Sequence, residues 1–121
     1  MAHILIVDDE PSNLDVAATV CHASGHTVAF AHHGKEALGL LERERFDLIL
    51  LEYQMPIMSG MQVADLIRQE PALSCLPIIM MSARMTPADR HVMRAAGLLH
   101  LIAKPYRAAD LRALITTVLT D

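Results

Sequence analysis

A chain of 121 residues, 53% hydrophobic and 20% charged, is sized for one globular domain around one core and is not a disordered segment. Its net charge of −4 and pI near 5.9 argue against a domain that holds a nucleic-acid backbone by itself. The N-terminus, Met1-Ala2-His3-Ile4, has no basic region or long apolar run, and no run approaches the roughly 20 residues of a membrane span. The expected setting is therefore soluble and cytoplasmic.

In chain order, Ile4-Leu5-Ile6-Val7 predicts a first buried strand that ends in Asp8-Asp9-Glu10. Pro11 suits the first turn of a helix whose inner face is Leu14, Ala17, Ala18 and Cys21, stopped by Gly25. Val28 to Ala31 predicts a second strand. His33-Gly34 opens a second helix with Ala37, Leu38 and Leu41 inward. Leu48 to Leu51 is almost wholly apolar, too short for a helix and fit for a strand covered on both faces, and it stops at Glu52. Met55-Pro56 and Ser59-Gly60 then force a loop. Ser59 with Gln62 forms a capping box for a third helix with Val63, Ala64 and Ile67 inward. Pro77 to Met81 predicts a fourth strand ending at Ser82-Ala83. Thr86-Pro87 with Asp89 begins a fourth helix closed by Gly97. Leu98 to Ile102 predicts a fifth strand running into Lys104-Pro105. Leu111, Leu114, Ile115, Val118 and Leu119 give the last helix what reads as the cleanest amphipathic stripe in the chain.

Strands alternating with helices in this way predict an α/β fold, a doubly wound five-stranded parallel sheet, as a single domain over residues 1–121. The pattern leaves the strand order open. Four strand ends fall on one edge: Asp8-Asp9, Glu52, Ser82 and Lys104. Open α/β sheets place ligand sites at the carboxyl ends of their strands. Three clustered carboxylates repel unless a cation sits among them, and hard oxygen donors suit Mg²⁺. A hydroxyl and an ammonium beside them suit phosphoryl oxygens. Taken singly, Ser82 reads as a loop cap and Lys104 as a solvated residue.

These motifs together resemble the receiver domains of bacterial two-component response regulators, over essentially the whole chain. The resemblance rests on Ile4-Leu5-Ile6-Val7-Asp8-Asp9-Glu10, Asp47-Leu48-Ile49-Leu50-Leu51, Met55-Pro56-Ile57-Met58-Ser59-Gly60, Pro77-Ile78-Ile79, Ser82-Ala83, Ala96-Gly97 and Lys104-Pro105-Tyr106. It implies a flavodoxin-like (βα)5 sheet of order 2-1-3-4-5 and an acceptor that takes a phosphoryl group from a kinase histidine. It implies that Asp8 and Asp9 hold Mg²⁺ weakly, together with Glu52 and the backbone carbonyl of Gln54. Ser82 becomes the hydroxyl that follows the phosphoryl group and Lys104 its ion-pair partner. The implied partners are a sensor histidine kinase or phosphotransfer protein and a downstream effector or fused output domain. The fourth helix, fifth strand and last helix form the implied docking face, which also serves for homodimers, and no nucleic acid or membrane is bound directly.

Three positions depart from the family pattern, one of them Arg107, which follows Tyr106 where an acidic or polar helix cap is common. Glu52 stands where the family has the phosphoacceptor Asp, and Leu101 stands where it usually carries a switch aromatic. Glu52 therefore reads as a poor acceptor or a mimic of the phosphorylated state, and its extra length lets it reach Lys104. The competing functions are a docking scaffold without phosphotransfer chemistry and a small phosphatase or hydrolase. The second lacks both a cap insertion and a Gly-rich phosphate loop. A self-modifying signalling module, rather than an enzyme, is the favoured reading. The remaining features read as structural: Cys21 and Cys75 as small buried hydrophobes, His32-His33 as a solvated pair, His100 as a partly exposed strand residue.

Overall fold

The computed structural model describes residues 1–120. Within them, strands and helices alternate as β1 (His3–Val7), α1 (Pro11–Ala23), β2 (Thr27–Ala31), α2 (Gly34–Arg43), β3 (Leu48–Glu52), α3 (Gly60–Gln69), β4 (Ile78–Ser82), α4 (Pro87–Ala95), β5 (His100–Ala103) and α5 (Ala108–Thr120). The strands form one parallel sheet in the order β2-β1-β3-β4-β5. β3 lies in the middle, and all five of its residues are buried, which is why its sequence shows no polar alternation.

Alternate side chains of each strand feed two cores. Ile4, Ile6, Leu48, Leu50, Ile79 and Met81 pack with α1 and α5 on one face. Leu5, Val7, Ile49, Leu51, Ile78 and Met80 pack with α2, α3 and α4 on the other. A sheet covered on both faces follows from right-handed crossovers between parallel strands.

Local chemistry sets the helix ends. Ser59 and Gln62 close a reciprocal capping box on α3, and Thr86 and Asp89 close another on α4. Gly25 and Gly97 take positive φ (83° and 79°) just past α1 and α4, a conformation that L-residues with a Cβ resist.

Several expectations are corrected. β5 begins at His100, not Leu98. Leu98 is buried because its N–H bonds the Met93 carbonyl (2.9 Å) as the chain closes α4, and Leu99 is left 71% exposed. β4 begins at Ile78, with Pro77 contributing only its carbonyl to the Ile49 N–H. A 3-10 turn at Pro71–Leu73 was not foreseen. α5 is not the most sharply divided helix. Leu111, Ile115 and Val118 are buried, but Ala109, Ala113, Thr116 and Thr117 make a weakly polar outer face. α2, α3 and α4 divide more cleanly.

Cys21 is buried, and burial pushes its thiol up to about 11. Cys75 is exposed, contrary to expectation. His32 and His33 are both exposed, as expected of a solvated pair, and both are hydrogen-bonded locally. The His33 ring nitrogen accepts the Glu36 N–H (3.1 Å) as the N-cap of α2, and Glu36 folds back onto the His32 N–H and ring. His100 is half-buried in β5, as expected.

Candidate functional site

The chain leaves β1 toward β2 on one side and returns to β3 on the other, so a crevice opens where the strand order reverses. Asp8 follows the last residue of β1, and Glu52 is the last residue of β3. Both are buried, at 1% and 6% exposure. Lys104, just beyond β5, reaches across β4 to meet them. Its Nζ lies 2.5 Å from Asp8 Oδ2 and ion-pairs with Glu52 Oε1. The remaining carboxylate oxygens accept backbone donors: Asp8 Oδ1 from Glu10 N–H and Glu52 Oε2 from Gln54 N–H, each at 3.0 Å.

Burial by itself lowers the Lys104 pKa, but its hydrogen bonds to Asp8 and Glu52, reinforced by their charges, leave it above the usual lysine value of 10.5. One ammonium against two carboxylates leaves the buried triad one negative charge in excess. The amides of Glu10 and Gln54 stabilise that excess only in part.

The structure brings Asp8, Glu52 and Lys104 together and leaves the other predicted site residues apart. Asp9 is exposed, and among the described residues no three His, Cys, Asp or Glu side chains converge as they would around a metal ion. The expected three-carboxylate cluster is replaced by an ion triad because Glu52 is long enough to meet the lysine. Gln54 is exposed, and its N–H is committed to Glu52. Ser82 is buried at the end of β4, but its hydroxyl is held by the following loop. It donates to the Arg84 carbonyl (2.5 Å) and accepts the Arg84 N–H (3.1 Å). This is the loop-cap role that its residue type also predicted. Leu101 is half-buried in β5, paired in register with Met80.

The loop after Glu52 is held close and under strain. A Cβ on Gly60 would overlap the Glu52 carbonyl oxygen and lie 2.8 Å from Tyr53 Cα, so only glycine lets α3 start this near the end of β3. Ile57 is fully exposed at φ 71°, where a β-branched residue is disfavoured, in a tight turn closed by Met58 N–H to the Pro56 carbonyl (2.8 Å).

One connection has no counterpart in the sequence reading. Tyr53, adjacent to Glu52, donates its hydroxyl to Asp89 Oδ1 (3.0 Å), while Asp89 Oδ2 accepts the Thr86 N–H of the α4 capping box (3.0 Å). The tether joins the end of β3 to the first turn of α4 across 36 residues of chain, and neither residue alone signals it. Thr86's backbone and side chain first, then Tyr53, hold the Asp89 carboxyl below its usual range. Tyr53→Phe is expected to lower Tm by a few degrees and to speed amide exchange in the first turn of α4, with the other helices unchanged. Because the Asp89 pKa is depressed on folding, the stability it contributes is present above its unfolded value and lost as pH falls. The gap between parent and variant should therefore narrow in acid. Equal exchange at α4 in both proteins would refute the tether.

A five-stranded sheet of this order, with a buried acidic pair and a lysine at its switch point, defines the receiver class of signalling domains. The chain belongs to the response-regulator receiver family, whose model matches residues 4–116. It is 36% identical over 119 residues to the sensory transduction protein RegX3 of Mycolicibacterium smegmatis, a match covering 98% of this chain and 51% of that protein. The chain thus spans about half the length of that relative. Among solved structures it is similar to the Vibrio cholerae chemotaxis protein CheY4, with a TM-score of 0.93 and 28% identity over 98% of this chain and 99% of that one. It is also similar to the receiver domain of the Pseudomonas aeruginosa sensor histidine kinase PA1611, with a TM-score of 0.90 and 28% identity over 99% and 98% of the two chains. That structure carries a magnesium ion in its active-site cleft.

Proposed function

We propose that this receiver is a signalling module whose acceptor position is held in a self-neutralised state, Glu52 being a partial mimic of a phosphorylated acceptor. The observation that carries this is the direct ion pair between Glu52 and Lys104 in a buried crevice. A phosphoryl oxygen on a shorter acceptor would meet the same ammonium. A carboxylate brings one charge and two oxygens where a phosphoryl group brings up to about two charges and three acceptor oxygens. The mimicry is accordingly incomplete: Ser82 stays with Arg84 instead of turning to the acceptor. The result is a population shifted toward the signalling arrangement, not locked in it.

The donors fit Mg²⁺ in type, with Asp8, Asp9 and the Gln54 carbonyl as the residues that would hold it. When bound, it supplies positive charge beside the acceptor. Lys104 already offsets much of the charge that would attract it, so binding is weak. At about ten times its Kd, Mg²⁺ stabilises by roughly 1.4 kcal/mol. The parent is expected to gain a few degrees in Tm with Mg²⁺ and Asp9→Ala to gain nothing. Equal gains in both would remove Asp9 from the site.

The module works in the cytoplasm with a histidine kinase or phosphotransfer protein upstream and an effector or fused output domain downstream, docked on the α4–β5–α5 face. The competing reading as a hydrolase is tested by turnover on generic phosphate esters. Sustained turnover lost in Glu52→Gln would replace the signalling reading.

A further inference from the structure

β2 lies at one edge of the sheet and pairs with β1 alone. The Thr27 N–H bonds the Ala2 carbonyl (2.9 Å), and the Ala31 carbonyl accepts the Asp8 N–H (3.1 Å). Thr27, Ala29 and Ala31 therefore turn their backbone groups toward β1. By the alternation of a strand, Val28 and Phe30 turn theirs outward, where among the described residues no strand or side chain meets them. Free edges of this kind are ordinarily blunted by a charge, a proline or a bulge. The opposite edge strand, β5, is four residues long and runs into Lys104-Pro105. β2 is five residues long, carries neither charge nor proline, and leaves Phe30 37% exposed.

We propose that β2 is the interface of a symmetric dimer, pairing antiparallel with β2 of a second copy about a two-fold axis at Ala29. The segment around Ala29 reads nearly alike in both directions: Val28 mirrors Phe30, Thr27 mirrors Ala31, and His26 mirrors His32. An antiparallel pair centred there sets Val28 opposite the second copy's Phe30. These two exchange both N–H···O=C bonds, and the symmetric pair does the same, so every outward group of Val28 and Phe30 is satisfied. A shift of one residue would face them with groups already turned to β1. A β-branched residue opposite an aromatic is also a favourable cross-strand pair. Residues 26–32 contain no Asp, Glu, Lys or Arg to repel their own copy. This mirror selects a second copy over an unrelated strand, because a two-fold contact uses each half of the segment twice. The two sheets become continuous, with β5 at both outer edges, so the interface leaves the α4–β5–α5 face of each copy open. It does not depend on the chemistry at Glu52.

The test is directed disulfide cross-linking of the whole chain, with the exposed Cys75 replaced by serine so that only the buried Cys21 remains. Ala29→Cys stands on the axis, in a non-hydrogen-bonded pair whose Cα atoms are about 4.5 Å apart, within the span of a disulfide. It is expected to oxidise to a covalent dimer. Thr27→Cys, set off the axis, is expected to stay monomeric under the same oxidant. Sedimentation equilibrium of the unmodified parent should show a concentration-dependent dimer. Phe30→Lys should weaken it about tenfold through the loss of its cross-strand pairs. Circular dichroism checks that this variant is folded, and the cross-link stands without it. A parent that stays monomeric at millimolar concentration would overturn the proposal. So would equal cross-linking at positions 27 and 29, or a dimer that a folded Phe30→Lys leaves unchanged.

Discussion

Treatment with acetyl phosphate and Mg²⁺ is expected to leave the mass of the parent unchanged and to add one phosphoryl group to Glu52→Asp. In the transfer a carboxylate oxygen attacks phosphorus, the bond from phosphorus to the acetyl oxygen breaks, and acetate leaves. The attacking oxygen must stand in line with that bond while cationic groups hold the other phosphoryl oxygens. Glu52 fails on both counts. Its extra methylene carries the carboxylate roughly an ångström further into the crevice. There Oε1 is bound by Lys104 and Oε2 by the Gln54 N–H, so the lysine is already engaged. A misplacement of about 1 Å can cost on the order of 10²-fold in rate. In Glu52→Asp the shorter side chain withdraws from Lys104 and frees its ammonium for the phosphoryl oxygens. Intact-mass spectrometry reads the outcome directly. A phosphoryl adduct on the parent that disappears in Glu52→Gln would make Glu52 a working acceptor and end the mimic reading.

Replacing Lys104 is expected to cost more stability than any exposed substitution in the chain. Lys104→Met keeps the length of the apolar stem but leaves Asp8 and Glu52 facing each other, buried, with only two backbone amides in support. Removing one partner of a buried ion pair typically costs about 3–5 kcal/mol. The lysine side chain is still 13% exposed, so the lower end applies: about 3 kcal/mol, a fall of roughly 10 °C in Tm for a domain of this size. Two controls separate charge from packing. Glu52→Gln in the Lys104→Met background should restore much of the loss, because it removes one of the two opposed charges. The second control is pH. The folded pKa of Lys104 lies above its unfolded value, so its contribution is fully present below about 10.5 and is lost as pH rises through the folded value. The gap between parent and Lys104→Met should be constant at neutral pH and close only in strong alkali. A gap that Glu52→Gln leaves untouched would assign the effect to packing and remove the triad.

Cys75 was expected to be buried and Leu99 to lie within the fifth strand, but both are exposed, because exposure is decided by which turn a segment ends on. Leu98 illustrates the rule from the other side, being buried by the closure of α4 and not by β5. The tether between Tyr53 and Asp89, which joins the end of β3 to α4, was not foreseen at all. Its partners are 36 residues apart, and no local pattern encodes a contact between side chains on different layers.

By itself the sequence determined the alternation of strands and helices and most of their ends, because apolar periodicity, capping boxes and Gly or Pro stops act over a few residues. It also determined which residue types stand at the strand ends, and hence the chemistry available there. Only the tertiary structure decided which of those residues meet. Asp8, Glu52 and Lys104 come together because the order β2-β1-β3-β4-β5 sets β1 beside β3 and lets Lys104 reach back across β4. Asp9, one residue from Asp8, is turned out to solvent. Whether the crevice gathers around a divalent ion or an ammonium was likewise a matter of reach, since a glutamate at the end of β3 can span to Lys104. Side-chain reach across a sheet depends on register and burial, and these exist only once the chain is folded.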